Sequence, residues 1–230
     1  MCFTPAVSLS TAIFEFIVAT FIFFYFKKTT LHKSLIIFLY VLGIYQLTEF
    51  FLCTSSSPFL WAKLGFITYT FLPALGLYYA LDYLNKKRYF LLIFLIPIAV
   101  SIFVAFSENF ISLATCGTFF VTVKNLFMGH WIGGLYLSYY FGFILIVGIL
   151  LTINAIRKKG IHRILDLIVL FALLFSLLPP IILIFILPAL KITFPSIYCH
   201  FAVLFAFAAL LVFYLDSKSQ KSKRNSLKTF

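Results

Sequence analysis

The sequence predicts an all-α membrane protein, a seven-helix transmembrane bundle with its N-terminus outside and its C-terminus in the cytoplasm. Of the 230 residues, 63% are hydrophobic and only 10% are charged, whereas an average soluble domain carries about 25% charged residues. The apolar residues form continuous runs of roughly the ~20 residues that a spanning helix needs, while barrel strands would be short and alternating. A bundle of helices, which satisfy their own backbone hydrogen bonds in lipid, is the architecture that fits.

Polar or basic segments separate seven apolar runs. These runs are Val7 to Phe26, Ser34 to Cys53, Phe59 to Leu84, Tyr89 to Phe106, Trp131 to Ile156, Ile164 to Leu187 and Ser196 to Leu215. Proline removes a backbone donor and its ring crowds the preceding turn, so Pro179 and Pro180 are expected to break or kink the sixth helix.

The segments between and after these runs complete the domain organisation. Ser107 to His130 is the one sizeable loop, and whether Phe119 to Phe127 dips into the membrane is left open by the sequence. Residues 1–215 are expected to form the seven-helix transmembrane domain. Residues 216–230 are short and polar, which predicts a disordered basic tail in the cytoplasm.

The positive charge is concentrated on one side of the predicted membrane domain. The net charge is +12 with 18 Lys and Arg residues, and most of them lie in three gaps between runs and in the tail. These cations are Lys27, Lys28, Lys33, Lys86, Lys87, Arg88, Arg157, Lys158, Lys159, Arg163, Lys218, Lys221, Lys223, Arg224 and Lys228. This is the positive-inside asymmetry of a multi-pass protein of the cytoplasmic (plasma) membrane. It predicts the lipid bilayer and its anionic headgroups as partners, and no nucleic acid.

Ionisable residues inside the predicted spans are costly and therefore need a reason. Ser8, Thr11 and Glu15 share one face of the first helix by their spacing, and this face is expected to point into the bundle. Glu49, Lys63 and His200 lie at similar depth in three other helices, in the predicted outer half of the bilayer. Together with Glu15 they form a candidate ligand or ion site open to the outside, if they converge. The alternative is a structural Glu49–Lys63 pair that closes the hairpin of helices two and three.

Tyrosines and cysteines near the outer face add two further candidates. Tyr136 and Tyr140, one turn apart in the fifth helix, belong either to an interfacial aromatic belt or to the lining of the same pocket. Cys53 and Cys116 both fall on the outer side, where a disulfide between helix two and the long loop is one alternative and buried free thiols are the other.

Two carboxylates lie at the predicted inner ends of helices. Asp82 precedes Lys86 by one helical turn, and Asp166 lies close to Arg163. Both are expected to form boundary salt bridges, a common arrangement at helix ends.

Motifs for catalysis are missing from the sequence. It contains no glycine-rich phosphate loop, no His-Glu-x-x-His and no Gly-x-Ser-x-Gly, and its four cysteines lack metal-ligand spacing. The chain is therefore expected to be no enzyme and to need no cofactor or metal.

Three function classes remain open. The first is a sensor that binds a small ligand from the outer side and signals through a separate partner. The second is a small-molecule or ion transporter, although no internal repeat is evident. The third is an intramembrane lipid-modifying enzyme with His200 and Glu15 or Glu49 as acid and base.

The third run carries a recognisable pattern. An aromatic, a basic residue, a leucine and a second aromatic follow one another as Trp61, Lys63, Leu64 and Phe66, and Pro73 comes later in the same run. This pattern resembles the seven-helix N-terminal membrane sensor region of bacterial histidine kinases.

The long loop before the fifth helix and the Pro195-led start of the seventh are similar to that family as well, so the resemblance covers about residues 7 to 215. It implies that the membrane region senses a signal and passes it to a cytoplasmic kinase or cyclase. No output domain follows Asp216, so a separate cytoplasmic signalling partner is expected. Lys63 matches the family's basic position, for which a structural and a ligand-facing role both remain open.

Overall fold

The computed structural model describes residues 5–25, 30–83, 90–116, 121–127, 130–186 and 198–226. These ranges form helices and one two-stranded sheet. In chain order the elements are α1 (Pro5–Tyr25), α2 (Thr30–Thr54), α3 (Pro58–Thr70), α4 (Leu72–Tyr83), α5 (Phe90–Phe106), β1 (Ile111–Cys116), β2 (Val121–Asn125), α6 (Trp131–Arg157), α7 (Ile161–Ile186) and α8 (Tyr198–Ser226).

Each predicted apolar run coincides with helix in this structure. By length and composition, five segments within the described residues are long and apolar enough to cross a membrane: Pro5–Tyr25, Lys33–Thr54, Pro58–Asp82, Trp131–Arg157 and Ala202–Ser219. Leu91–Phe106 is a shorter apolar helix. Hydropathy therefore located the helices correctly, because a continuous apolar run can be buried in lipid only when its backbone is internally bonded.

The third run differs from its prediction, because it is divided at Phe71 into α3 and α4. Pro73 has no backbone N–H, so the helical ladder cannot pass through this point intact. The Phe71 amide bonds back to the Thr68 carbonyl at 3.2 Å, a tightened turn. The Thr70 carbonyl instead accepts a hydrogen bond of 2.7 Å from the Tyr139 hydroxyl of α6. A side chain from a neighbouring helix thus satisfies a carbonyl next to the break.

The last two helices also differ from expectation. The α7 helix continues through Pro179 and Pro180 to Ile186, so the two prolines do not end it; neighbouring helices and local adjustment make proline tolerable in membrane helices. The α8 helix extends to Ser226, which makes residues 216–226 helical where a disordered tail was predicted. Lysines and Arg224 near its end favour a helix C-terminus through the helix dipole.

The predicted long loop contains a β-hairpin. Its strands β1 and β2 pair antiparallel, with Cys116 opposite Val121, Ala114 opposite Val123 and a bulge between Ile111 and Leu113. The strand β1 packs against α2 and α3. We call this end of the bundle the hairpin end. The opposite end is the basic end, where cation-rich segments follow α1, α4 and α6 and where the basic last turns of α8 lie.

Two apolar clusters form the core. The central cluster joins helices from both halves of the chain through side chains such as Ile22, Leu39, Leu151 and Phe213, each at most 1% exposed. The second cluster lies at the hairpin end, where Phe110, Phe127 and Phe66 pack edge to face with ring centroids 4.8–5.8 Å apart. The hairpin is therefore packed onto the bundle by aromatic contacts.

Candidate functional site

The polar stripe of α1 faces the interior, as its spacing predicted. Ser8, Thr11 and Glu15 are 3%, 6% and 0% exposed. Neither carboxyl oxygen of Glu15 has a hydrogen-bond partner among the described residues. A carboxyl group in this position is costly to keep charged, so its environment must supply either a proton or a counter-ion.

The helices α1 and α2 are antiparallel neighbours, and their contacts fix which residues share a level. The ring of Phe16 lies against Gly43, where an added Cβ would come within 2.9 Å of it. One turn further toward the basic end, the hydroxyls of Thr20 and Tyr40 are 2.8 Å apart. In the other direction, this register places Glu49 about one helical turn beyond the part of α2 that faces Glu15.

Glu49 is held by its own helix. It is 5% exposed, and its Oε1 accepts a 2.6 Å hydrogen bond from the Tyr45 hydroxyl one turn earlier. Thr48 donates a hydrogen bond of 2.7 Å to the Tyr45 carbonyl. The bond from Tyr45 fixes the direction of the Glu49 side chain, which borders a cavity beneath the hairpin.

We call this cavity of about 40 Å³ the hairpin chamber. Three elements enclose it: α2, α3 and β2. Its lining consists of Tyr45, Thr48, Glu49, Leu52, Trp61, Ala62, Gly65, Phe66, Tyr69, Val121, Val123 and Asn125. Aromatic rings thus lie beside a carboxyl group in a small space.

The hairpin forms the roof of this chamber and is fixed on both sides. A disulfide joins Cys53 at the end of α2 to Cys116 at the end of β1, with Cα atoms 5.6 Å apart. At the end of β2, the Asn125 side chain accepts a hydrogen bond of 3.1 Å from the Phe127 amide. The roof is consequently tied to α2 by a covalent bond and to α3 by packing.

A layer of tyrosines lies below the chamber. Tyr136 and Tyr140 are 8% and 6% exposed, so they are interior residues and not members of an interfacial belt. The Tyr136 hydroxyl is 3.0 Å from Thr70 Oγ1, and Tyr69 contacts both rings at centroid distances of 6.3 and 5.7 Å. Tyr69 lines the chamber, whereas Tyr136 and Tyr140 do not line it and pack against the ring of Tyr69.

A second cavity, of about 100 Å³, lies on the other side of this layer. It is enclosed by α2, α4, α6, α7 and α8, and its lining is apolar apart from the hydroxyls of Tyr79 and Tyr140. Tyr140 therefore lies between the polar chamber and an apolar interior space.

Lys63 does not join the acidic pair. Its ammonium group donates hydrogen bonds of 2.9 Å each to the carbonyl oxygens of Ala105 and Ser107, at the end of α5. The alternative of a structural Glu49–Lys63 pair is therefore not what the structure shows. Lys63 instead caps a neighbouring helix, where a cation is favoured by the dipole and by the unpaired carbonyls.

The remaining predicted site residue, His200, is in the first turn of α8. Its side chain lies outside the part of the chain that the structure describes, as does Lys86, the predicted partner of Asp82. At the basic end, Asp166 is 2% exposed and interacts electrostatically with Lys158. Burial lowers the pKa of Lys158, and the Asp166 carboxyl opposes that effect.

Several chamber residues were not predicted as site residues from the sequence. Trp61, Tyr69 and Asn125 come from α3 and from a hairpin that hydropathy does not reveal. The alternation of Val121, Thr122 and Val123 is the signal that a strand prediction could have used. Within the described ranges, no group of three or more His, Cys, Asp or Glu residues is arranged to hold a metal ion.

Comparison with known proteins identifies the family. The model of the family described as the N-terminal 7TM region of histidine kinase matches residues 7–219. No curated protein and no solved structure matches the chain. The match covers the helices and the hairpin that build the chamber, and it agrees with a membrane sensor role. The chain belongs to the family of N-terminal seven-transmembrane regions of histidine kinases.

Proposed function

We propose that this protein detects a small ligand at the outer face of the plasma membrane and signals to a cytoplasmic partner, without catalytic activity of its own. The observation that supports this proposal best is the hairpin chamber. It places a buried carboxyl group and aromatic rings beneath a roof that is covalently tied to α2. Membership in a sensor family supports it independently.

The proposed topology has seven spans, in which α3 and α4 act as one. The N-terminus is outside, and the basic end faces the cytoplasm, because Lys and Arg concentrate in cytoplasmic loops. The disulfide at the hairpin end supports this orientation, since disulfides persist in oxidising compartments. Anionic lipids of the inner leaflet are then the partners of the basic segments.

A signal can be carried along α2. This helix contributes Tyr45, Thr48 and Glu49 to the chamber and holds the hairpin through Cys53. It begins at Thr30, at the basic end, so one rigid element connects the ligand chamber with the proposed cytoplasmic face. Ligand binding that favours one position of α2 would shift the population of states that the partner recognises.

A chimera tests this proposal without knowledge of the ligand. A histidine kinase output domain is fused after Phe230, with a series of linker lengths, and its autophosphorylation is measured in vesicles. Cys116→Ser removes the disulfide that holds the hairpin, and it is expected to change the autophosphorylation rate at one linker length or more. Cys199→Ser is the matched control. If Cys116→Ser changes autophosphorylation at none of the linker lengths, or if the C-terminus proves to be outside, the proposal fails.

A further inference from the structure

A groove at the hairpin end, separate from the chamber, brings charged and apolar side chains together on the surface of the bundle. It lies where α3, the end of α5 and the start of β1 meet. Its lining includes Phe59, Leu60 and Lys63 from α3, and Glu108 and Asn109 from the turn that follows α5. We call it the α3–α5 groove.

The apolar part of this groove continues into a surface that suits lipid. The candidate span that contains α3 begins at Pro58, so Phe59 and Leu60 lie in its first turn, and both are exposed. Leu64 extends this exposed surface by one turn, and Phe106 at the end of α5 is exposed as well. Exposed apolar surface of this kind marks a membrane contact. A molecule in the groove therefore borders the acyl chains of the bilayer.

Lys63 keeps one hydrogen-bond donor for a ligand. Its ammonium group bonds to the carbonyl oxygens of Ala105 and Ser107, which fixes the nitrogen at the last turn of α5. An ammonium group has three N–H donors, and within the described residues only two of them have acceptors. Both acceptors are neutral, so the positive charge is not balanced by them. A phosphate group matches the open donor and the charge, and lysine commonly binds phosphate.

Glu108 provides the opposite charge beyond Lys63. The chain leaves α5 at Phe106, and the exposed turn of Glu108 and Asn109 follows Ser107, whose carbonyl Lys63 bonds. The Glu108 carboxylate forms no hydrogen bond or ion pair with any residue that the structure describes. Along the groove, an apolar surface is thus followed by a cation and then, at the end of the bundle, by an anion.

This order is complementary to a zwitterionic phospholipid, in which the acyl chains are followed by a phosphate and then by an ammonium group. We infer that the α3–α5 groove binds phosphatidylethanolamine of the leaflet at the hairpin end, with the phosphate on Lys63 and the ammonium group on Glu108. The ethanolamine ammonium donates N–H groups to a carboxylate, which choline cannot do. Phosphatidylglycerol has the phosphate but no ammonium group, so Glu108 disfavours it. This site goes beyond the proposed sensor function and does not depend on it.

The test compares two photoreactive lipids in nanodiscs. Phosphatidylethanolamine and phosphatidylglycerol probes carry the same diazirine on the first carbons of one acyl chain, and their cross-links to the full chain are mapped by mass spectrometry. In the wild type, the ethanolamine probe should label the peptide with Leu60 and Leu64 about fivefold more than the glycerol probe, the size of effect that one exposed charge pair provides.

Two lysine variants show whether Glu108 sets this preference. Glu108→Lys should reverse it, because the new lysine repels the ammonium group and attracts the anionic lipid. Ser56→Lys is the matched control, since it adds a lysine at an exposed position of the same end that does not line the groove. Its preference should equal that of the wild type.

Four results would overturn the inference. They are equal labelling by the two probes in the wild type, an unchanged preference in a Glu108→Lys variant that is folded by its thermal unfolding curve, the same reversal in Ser56→Lys, and loss of labelling when free glycerophosphoethanolamine is added at the probe concentration. The last result would assign the groove to a soluble headgroup and not to a lipid. The comparison of the two probes in the wild type tests the inference even if a variant misfolds. Failure here leaves the sensor function in place, because that function rests on the hairpin chamber.

Discussion

Gly133 lies in the first turn of α6, where the chain passes from the hairpin into the bundle. A Cβ at this position would overlap the carbonyl oxygen of Phe127, which is backbone and cannot rotate away. We expect Gly133→Ala to destabilise the protein by about 1–3 kcal/mol, the cost of overpacking. Gly134→Ala is the matched control, because no atom lies within 4 Å of its added Cβ. Equal thermal unfolding midpoints for the two variants in detergent would contradict this close approach.

Tyr139 supplies the hydrogen bond that satisfies the Thr70 carbonyl beside the break between α3 and α4. Tyr139→Phe removes the hydroxyl and leaves a buried acceptor without its donor. The expected loss in free energy of unfolding is about 1–3 kcal/mol. The same change at Tyr214, which is 57% exposed, should have little effect. Thermal unfolding of both variants measures the difference, and a loss of similar size at Tyr214 would argue against this role of Tyr139.

At the scale of elements, Lys63 connects α3 to the end of α5. Replacing it by methionine keeps much of the side-chain length but removes the ammonium group that bonds to Ala105 and Ser107. The last turn of α5 should then fray, and its amide hydrogens should exchange faster by about tenfold or more, since hydrogen bonds to charged groups contribute about 1.5–3 kcal/mol. Hydrogen exchange followed by mass spectrometry measures this effect over residues 103–107.

The control for this experiment is Lys124→Met, which removes an exposed cation from β2. It should leave exchange in α5 unchanged. If Lys63→Met also leaves α5 protected, then Lys63 is not the cap, and a role facing a ligand becomes the better interpretation.

The helices were predictable from the sequence because each is a long apolar run, and length with hydropathy is a strong local signal. The hairpin was not predicted, because β1 and β2 are short, their alternation covers few residues, and the contacts of β1 with α2 and α3 are not encoded in a local pattern. The break at Phe71 had a local signal in Pro73. The helical continuation past Pro179 had none, since only tertiary context decides whether a proline ends a helix.

For the candidate site, spacing predicted which face of α1 is buried but not the direction of the other side chains. Ser8, Thr11 and Glu15 share this face, and all three are buried. Spacing could not show that Lys63 points to α5, or that Tyr136 and Tyr140 stand behind Tyr69. Side-chain direction around a helix axis is set by packing, which a single sequence does not reveal.

For the molecule as a whole, the disulfide between Cys53 and Cys116 is a long-range covalent constraint. It joins positions 63 residues apart. Cross-links that close such loops stabilise a protein by about 2–4 kcal/mol, chiefly by restricting the unfolded chain. A membrane-impermeant phosphine should therefore lower the thermal unfolding midpoint of the wild type and leave that of Cys53→Ser unchanged. An equal response of both proteins would show that the disulfide does not hold the roof.

The same cross-link also reports on biosynthesis. The segment between its two cysteines contains α3, α4, α5 and most of β1. In the proposed topology, the two thiols can meet in an oxidising compartment only after this segment has been inserted with both of its ends translocated. Oxidation of Cys53 and Cys116 in a cell therefore marks the chains that have completed this stage of insertion, and the ratio of oxidised to reduced protein follows the maturation of the protein in its membrane.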